Sequence, residues 1–135
     1  MAADKCTVVV VDDDEFMRAY LSETLNAGGY ECRTFACAME ALEFLASGGT
    51  RADLLLSDVH MPGMSGLDLL RTVKTVLPHL PFILISGSGD LPLAQMALRV
   101  GAADYLLKPV RPQDLMALVS RHANSGNLTP SLTSL

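Results

Sequence analysis

The run Val8-Val9-Val10-Val11 constrains this chain more than any other feature of its sequence. Four β-branched residues in a row leave no polar face to turn toward water. A strand built from them must be covered on both sides, which is the condition of a parallel sheet packed between helices. Residues 30–35, 53–57, 82–85 and 105–107 read as further strands, and the spacing between each pair of runs changes to that of a helix.

Residues 15–27 place Phe16, Tyr20 and Leu21 on one helical face and stop at Gly28-Gly29. Ala38, Ala41, Leu42 and Leu45 stand at i, i+3, i+4 and i+7, and Gly48-Gly49 ends that helix. Residues 67–77 form a third helix closed by Pro78. Asp90 is placed to cap a fourth, with Pro92 in its first turn and Gly101 beyond its end. Residues 112–123 form a fifth, with Leu115, Leu118, Val119 and His122 on one stripe. Strict alternation of five strands and five helices predicts an α/β fold, a doubly wound five-stranded parallel sheet with helices on both faces. A chain of 135 residues holds one such domain, assigned to residues 1–123. Residues 124–135, rich in Ser, Thr and Asn, read as a flexible C-terminal tail or the start of a linker. Aromatics are 5% of the chain and Trp is absent, so the core is expected to be aliphatic.

Several classes of function are disfavoured. A net charge of −5 argues against direct nucleic-acid binding by this domain. Cys6, Cys32 and Cys37 are odd in number and include no CxxC pair, so they read as small buried hydrophobes in a reducing compartment. No apolar leader and no run of membrane-spanning length is present, and a cytoplasmic location is expected. Neither GxGxxG nor GxxxxGK[ST] occurs, so no dinucleotide or P-loop site is supported. His60, His79 and His122 are too scattered to form a metal-ligand set.

In a doubly wound sheet, ligands bind outside the carboxyl ends of the strands. The residues following the first, third, fourth and fifth strands are Asp12-Asp13-Asp14-Glu15, Asp58, Ser86-Gly87-Ser88 and Lys108. Clustered carboxylates repel, and a hard divalent cation such as Mg²⁺ relieves that repulsion. Lys108-Pro109 is aimed at the same edge, and the proline restricts the backbone behind the lysine, where a cis bond is an option. Beside a carboxylate–metal site, Ser86 becomes a candidate phosphoryl ligand.

This constellation resembles the receiver domain of bacterial two-component response regulators. The likeness lies in Val-Val-Asp12-Asp13-Asp14, Leu-Leu-Ser-Asp58 with Met61-Pro62-Gly63-Met64-Ser65-Gly66, Ile-Ser86-Gly87 and Lys108-Pro109, and it covers about residues 5–123. It leans toward the receivers of nitrogen-fixation and nitrogen-assimilation regulators rather than the stand-alone chemotaxis regulator. The resemblance implies a flavodoxin-like strand order 2-1-3-4-5 and a Mg²⁺-dependent transfer of a phosphoryl group to Asp58 from a sensor histidine kinase or phosphotransfer protein. Mg²⁺, for which Mn²⁺ can substitute, would be held by Asp13, Asp58 and the backbone carbonyl of His60, with Asp12 acting through water. Ser86 and Lys108 would bind the phosphoryl oxygens together with the backbone of Val59, His60 and Gly87, and Ser86 and Tyr105 would be the switch. Signalling would run through the face of helix 4, strand 5 and helix 5, to a homodimer or an attached output domain. Asp14 has no required role in this scheme. Gly87, Val110 and His60 depart from the commonest residues and bear on phosphoryl lifetime and the output surface.

Two other readings use the same residues. Asp12-x-Asp14 after a buried strand imitates the first motif of haloacid-dehalogenase-like phosphatases, although that leaves Asp58 without a role and the chain without room for a cap. A pseudo-receiver serving only as an interaction module would be expected to have lost the acceptor or the lysine. The receiver reading makes the chain a phosphoacceptor, not a turnover enzyme.

Overall fold

The computed structural model describes residues 5–48 and 51–125. Its elements run β1 (Thr7–Val11), α1 (Glu15–Ala27), β2 (Glu31–Phe35), α2 (Ala38–Ser47), β3 (Leu54–Asp58), α3 (Gly66–Val76), β4 (Phe82–Ser86), α4 (Leu91–Val100), β5 (Asp104–Leu107) and α5 (Pro112–Ser125). A 3-10 turn at Ser88–Asp90, not foreseen in the sequence, leads into α4. All five strands are parallel, in the order β2-β1-β3-β4-β5.

The core explains why the three inner strands β1, β3 and β4 carry no polar face, whereas the edge strand β2, with Glu31, Arg33 and Thr34, is largely exposed. Val9, Val11, Leu55, Phe82 and Leu84 point to one side and meet Ala38, Ala41, Leu69, Leu70, Val73 and Ala97 of α2, α3 and α4. Val8, Val10, Leu54, Leu56, Ile83 and Ile85 point to the other and meet Leu21, Leu25, Leu115 and Val119 of α1 and α5. Successive strand residues thus feed two separate apolar layers. Each fully buried Leu or Ile contributes on the order of 2 kcal/mol by leaving water. Among the described residues, Phe82 is the one aromatic side chain that is fully buried, as the aliphatic composition predicts.

Local signals set the helix ends. Gly48 closes α2 in the left-handed region at φ 72°; Gly49 lies outside the described residues. Ser65 opens α3 with a capping box, its hydroxyl accepting from Asp68 N–H at 3.1 Å while Asp68 accepts from Ser65 N–H at 3.4 Å.

Several expectations need correction. Phe16 does not join the buried face of α1: it is 85% exposed, and the inner stripe is Met17, Tyr20, Leu21 and Leu25. Phe16 sits in the first turn of α1 and belongs to neither apolar layer. Asp90 stands at the start of α4 but makes no side-chain cap there. The three cysteines are half-buried rather than core residues. Helix α5 continues to Ser125, past the expected boundary at 123, and residues 126–135 of the expected tail lie outside the described residues. Strand β3 begins and ends one residue later than expected and β4 runs one residue further, so Asp58 and Ser86 are strand residues.

Candidate functional site

Strand register assembles the site. Val11 lies opposite Ser57, Asp58 opposite Ile85, and Ser86 opposite Leu107. One residue further along β1 and β5 brings Asp12 and Lys108 to the same edge. Carboxylate oxygens of Asp12, Asp13 and Asp58 lie within 4.8 Å of one another. Lys108 Nζ lies 2.9 Å from Asp58 Oδ1, and Lys108 N–H donates to the Ser86 carbonyl at 2.7 Å. The Lys108–Pro109 peptide is cis.

Burial sharpens the chemistry. Asp12, Asp58 and Ser86 are buried while Asp13 faces solvent. Burial pushes the Asp12 carboxyl above its ordinary value; the backbone hydrogen bond from Asp14 opposes this, the charge of Asp58 reinforces it, Lys108 opposes it and Asp13 reinforces it. Burial alone would pull Lys108 down, but the hydrogen bond and charge of Asp58, joined by Asp12 and Asp14, leave its ammonium above the usual lysine range. Two buried side-chain atoms of the edge lack a hydrogen-bond partner, Asp12 Oδ2 and Ser86 Oγ. An orphaned carboxylate oxygen inside a three-carboxylate cluster suits a hard, oxygen-seeking cation, so the residues present fit Mg²⁺. The buried Ser86 hydroxyl is a free polar group on the same edge.

Other expected residues fall around this centre. His60 lines a recess of about 360 Å³ with Asp13, Met61, Pro62 and Ser65, and its Nε2 lies 3.0 Å from Asp90 Oδ2. The carboxylate expected to cap α4 therefore ties the loop after β3 to the loop after β4. The Val59 N–H already donates to the Ile85 carbonyl at 3.1 Å, so it would have to share that bond to bind an oxyanion. Tyr105 is half-buried against the layer that contains Ala97. His122 Nε2 lies 3.2 Å from Asp104 Oδ2, joining α5 to β5. A larger groove of about 630 Å³, lined by Leu45, Val76, Pro78, His79, Pro81 and Ala123 among others, lies at the opposite edge and holds none of these groups.

Three contributors had escaped the sequence. Asp14 is the N-cap of α1, accepting from Phe16 N–H at 2.9 Å; the Asp-x-x-x pattern before a helix was the available signal. Arg18 Nη1 donates to the Asp12 carbonyl at 2.7 Å, and Tyr20 Oη to the Val110 carbonyl at 2.7 Å. No sequence pattern marks either bond.

A parallel sheet in this order, with acids, a serine and a lysine at its carboxyl edge, defines the class of α/β signalling receivers. The chain matches the response regulator receiver domain over residues 8–120 and belongs to that family. It is 45% identical to the response regulator protein FleR of Pseudomonas aeruginosa over 116 residues, 86% of this chain and 24% of that protein. It is 46% identical to the DNA-binding transcriptional regulator NtrC of Escherichia coli over 114 residues, 84% of this chain and 24% of that protein. The chain thus spans about a quarter of the length of these relatives. Among solved structures it resembles the receiver domain of NtrX from Brucella abortus, with a TM-score of 0.82, 32% identity, and coverage of 87% of this chain and 98% of that one. The phosphatase reading finds no support here, and the Asp14 carboxylate it needs is spent on capping α1.

Proposed function

We propose that Asp58 accepts a phosphoryl group from a histidine of a sensor kinase or phosphotransfer protein. The single observation that carries this is the Lys108–Asp58 pair at 2.9 Å set against the Asp12–Asp13–Asp58 cluster. A buried carboxylate held by one ammonium beside two further acids is a nucleophile in a site built to handle extra charge.

An Asp58 carboxylate oxygen attacks phosphorus, the bond between phosphorus and the donor's histidine nitrogen breaks, and an aspartyl phosphate forms. Lys108 moves from pairing Asp58 to pairing a phosphoryl oxygen, and the Ser86 hydroxyl donates to another. Asp12, Asp13, Asp58 and the His60 carbonyl are the residues that would hold Mg²⁺, with Asp12 acting through water. Bound there, Mg²⁺ supplies charge neutralisation for the phosphoryl oxygens. The His60 and Gly87 amides, with Val59 if it releases Ile85, complete the oxyanion contacts. Ser86 and Tyr105 then carry the switch to the α4–β5–α5 face, where Met96, Leu98 and Leu107 are exposed.

The same reading extends to partners. Residues 1–123 act as the receiver, the segment from 124 is a tail or the start of a linker, and the α4–β5–α5 face passes the signal to a homodimer partner or to an attached output domain. The chain works in the cytoplasm, accepting a phosphoryl group once per signalling event instead of turning over a substrate. Incubation with acetyl phosphate and Mg²⁺ should add one phosphoryl group, located on Asp58 by mass spectrometry. Label that persists in Asp58→Asn overturns the assignment.

A further inference from the structure

Lys108 is held in place through the backbone on both sides. Its own N–H donates to the Ser86 carbonyl, and two residues later the Val110 carbonyl accepts from the Tyr20 hydroxyl of α1 at 2.7 Å. Only Pro109 separates the two anchored residues, and its ring fixes one of the few soft torsions between them. The Val110 side chain is nearly buried, in the same apolar layer as Tyr20, Met17 and Leu115. The ring of Tyr20 therefore packs where its hydroxyl must reach the loop. On the other side of the site, Arg18 of the same helix holds the Asp12 carbonyl at 2.7 Å. Helix α1 thus grips both the acid-bearing loop and the lysine-bearing loop.

We infer that Tyr20 is a positioning residue for phosphoryl transfer: its hydroxyl fixes the 108–110 loop so that Lys108 Nζ meets the acceptor carboxylate. The inference rests on the reading of Asp58 as phosphoacceptor. A lysine stem is flexible enough to follow a loop that drifts, but at a cost in side-chain entropy and alignment. Loss of the tether should therefore slow transfer without abolishing it.

Tyr20→Phe removes the hydroxyl and keeps the ring in the apolar layer. Labelling rates with acetyl phosphate at saturating Mg²⁺, and Mg²⁺ affinity by titration, are measured for the unaltered chain, Tyr20→Phe, Lys108→Ala and the double variant. One lost hydrogen bond predicts labelling about three- to tenfold slower in Tyr20→Phe. Mg²⁺ affinity should stay within about twofold, because the acid-bearing loop is held at Asp12 by Arg18, the Asp14 N–H and the Phe35 carbonyl, none of which involves Tyr20. In the Lys108→Ala background the same substitution should cost nothing further, since the group it positions is gone. An unchanged rate in Tyr20→Phe overturns the inference, as does an equal loss in both backgrounds or a parallel fall in Mg²⁺ affinity. Failure to label the unaltered chain overturns the phosphoacceptor reading and this inference with it; normal labelling unaffected by Tyr20→Phe overturns this inference alone.

Discussion

Gly66 gives the sharpest test of how the fold positions Asp58. The first residue of α3 donates its N–H to the Val59 carbonyl at 2.9 Å, so the helix begins directly against the acceptor's own backbone. A methyl group at this position would overlap the Asp58 carbonyl oxygen, and would lie 2.9 Å from Val59 Cα and 3.0 Å from the Asp58 carbonyl carbon. Ordinary carbon contacts begin at about 3.5 Å, so the backbone must open by roughly 0.5–1 Å. All the atoms met are backbone, at the buried end of β3 and the residue after it, and no side chain can swing aside. Overpacking of this kind costs about 1–3 kcal/mol. For a domain of this size that lowers Tm by roughly 4–12 °C. A shift near 1 Å at the nucleophile also predicts labelling slower by on the order of tenfold to a hundredfold. Gly28→Ala is the matched control, because there the new methyl meets mainly the far end of the Met116 side chain, which can rotate away. Thermal melts and acetyl phosphate labelling of both variants check the argument. Gly66→Ala that melts and labels like the unaltered chain, or Gly28→Ala that is the worse of the two, would refute it.

Mg²⁺ at millimolar concentration should raise Tm, because the folded acid cluster binds it and the unfolded chain does not, and Asp13→Asn should remove most of that gain in a melt with and without Mg²⁺. The elevated Asp12 carboxyl makes protons compete for the site, so the same Mg²⁺-dependent gain should shrink as pH falls toward the carboxylate range. Lys108 titrates above the ordinary lysine value of 10.5 when folded, so its contribution to stability is complete below that pH and is lost as pH rises through the folded value. The stability advantage of the unaltered chain over Lys108→Met, measured by urea denaturation, should accordingly shrink only above about pH 10.5; a decline already complete at pH 9 contradicts this. Leu84→Ala empties a fully buried position in the inner strand β4 and should cost about 2–5 kcal/mol in urea denaturation with labelling chemistry retained in the folded fraction.

Much of this protein was decided by its sequence. A β-branched apolar run such as Val8–Val11 calls for a strand covered on both faces, and five strands alternating with five helices call for a parallel sheet between helix layers, although the order of its strands came from the family resemblance. Once the strands are parallel, whatever follows each of them arrives at one edge. That is why Asp12, Asp13, Asp58, Ser86 and Lys108 could be grouped from residue order alone, and why register then brought Asp58 and Lys108 to 2.9 Å. Tertiary structure decided the contacts that hold these groups in place. Arg18 and Tyr20 both donate to backbone carbonyls, and every residue has a carbonyl, so nothing in the identity of Asp12 or Val110 advertises the bond. Asp90 had the right residue type and position for a helix cap, yet its carboxylate pairs with His60, 30 residues away, because two loops meet at the edge of the sheet. Phe16 had helical spacing in its favour, but only the packing of α1 against the sheet settled which side of the helix faced the core. Periodicity and strand ends are properties of the chain, whereas the partner of a polar group depends on what the packed elements bring within about 3 Å of it.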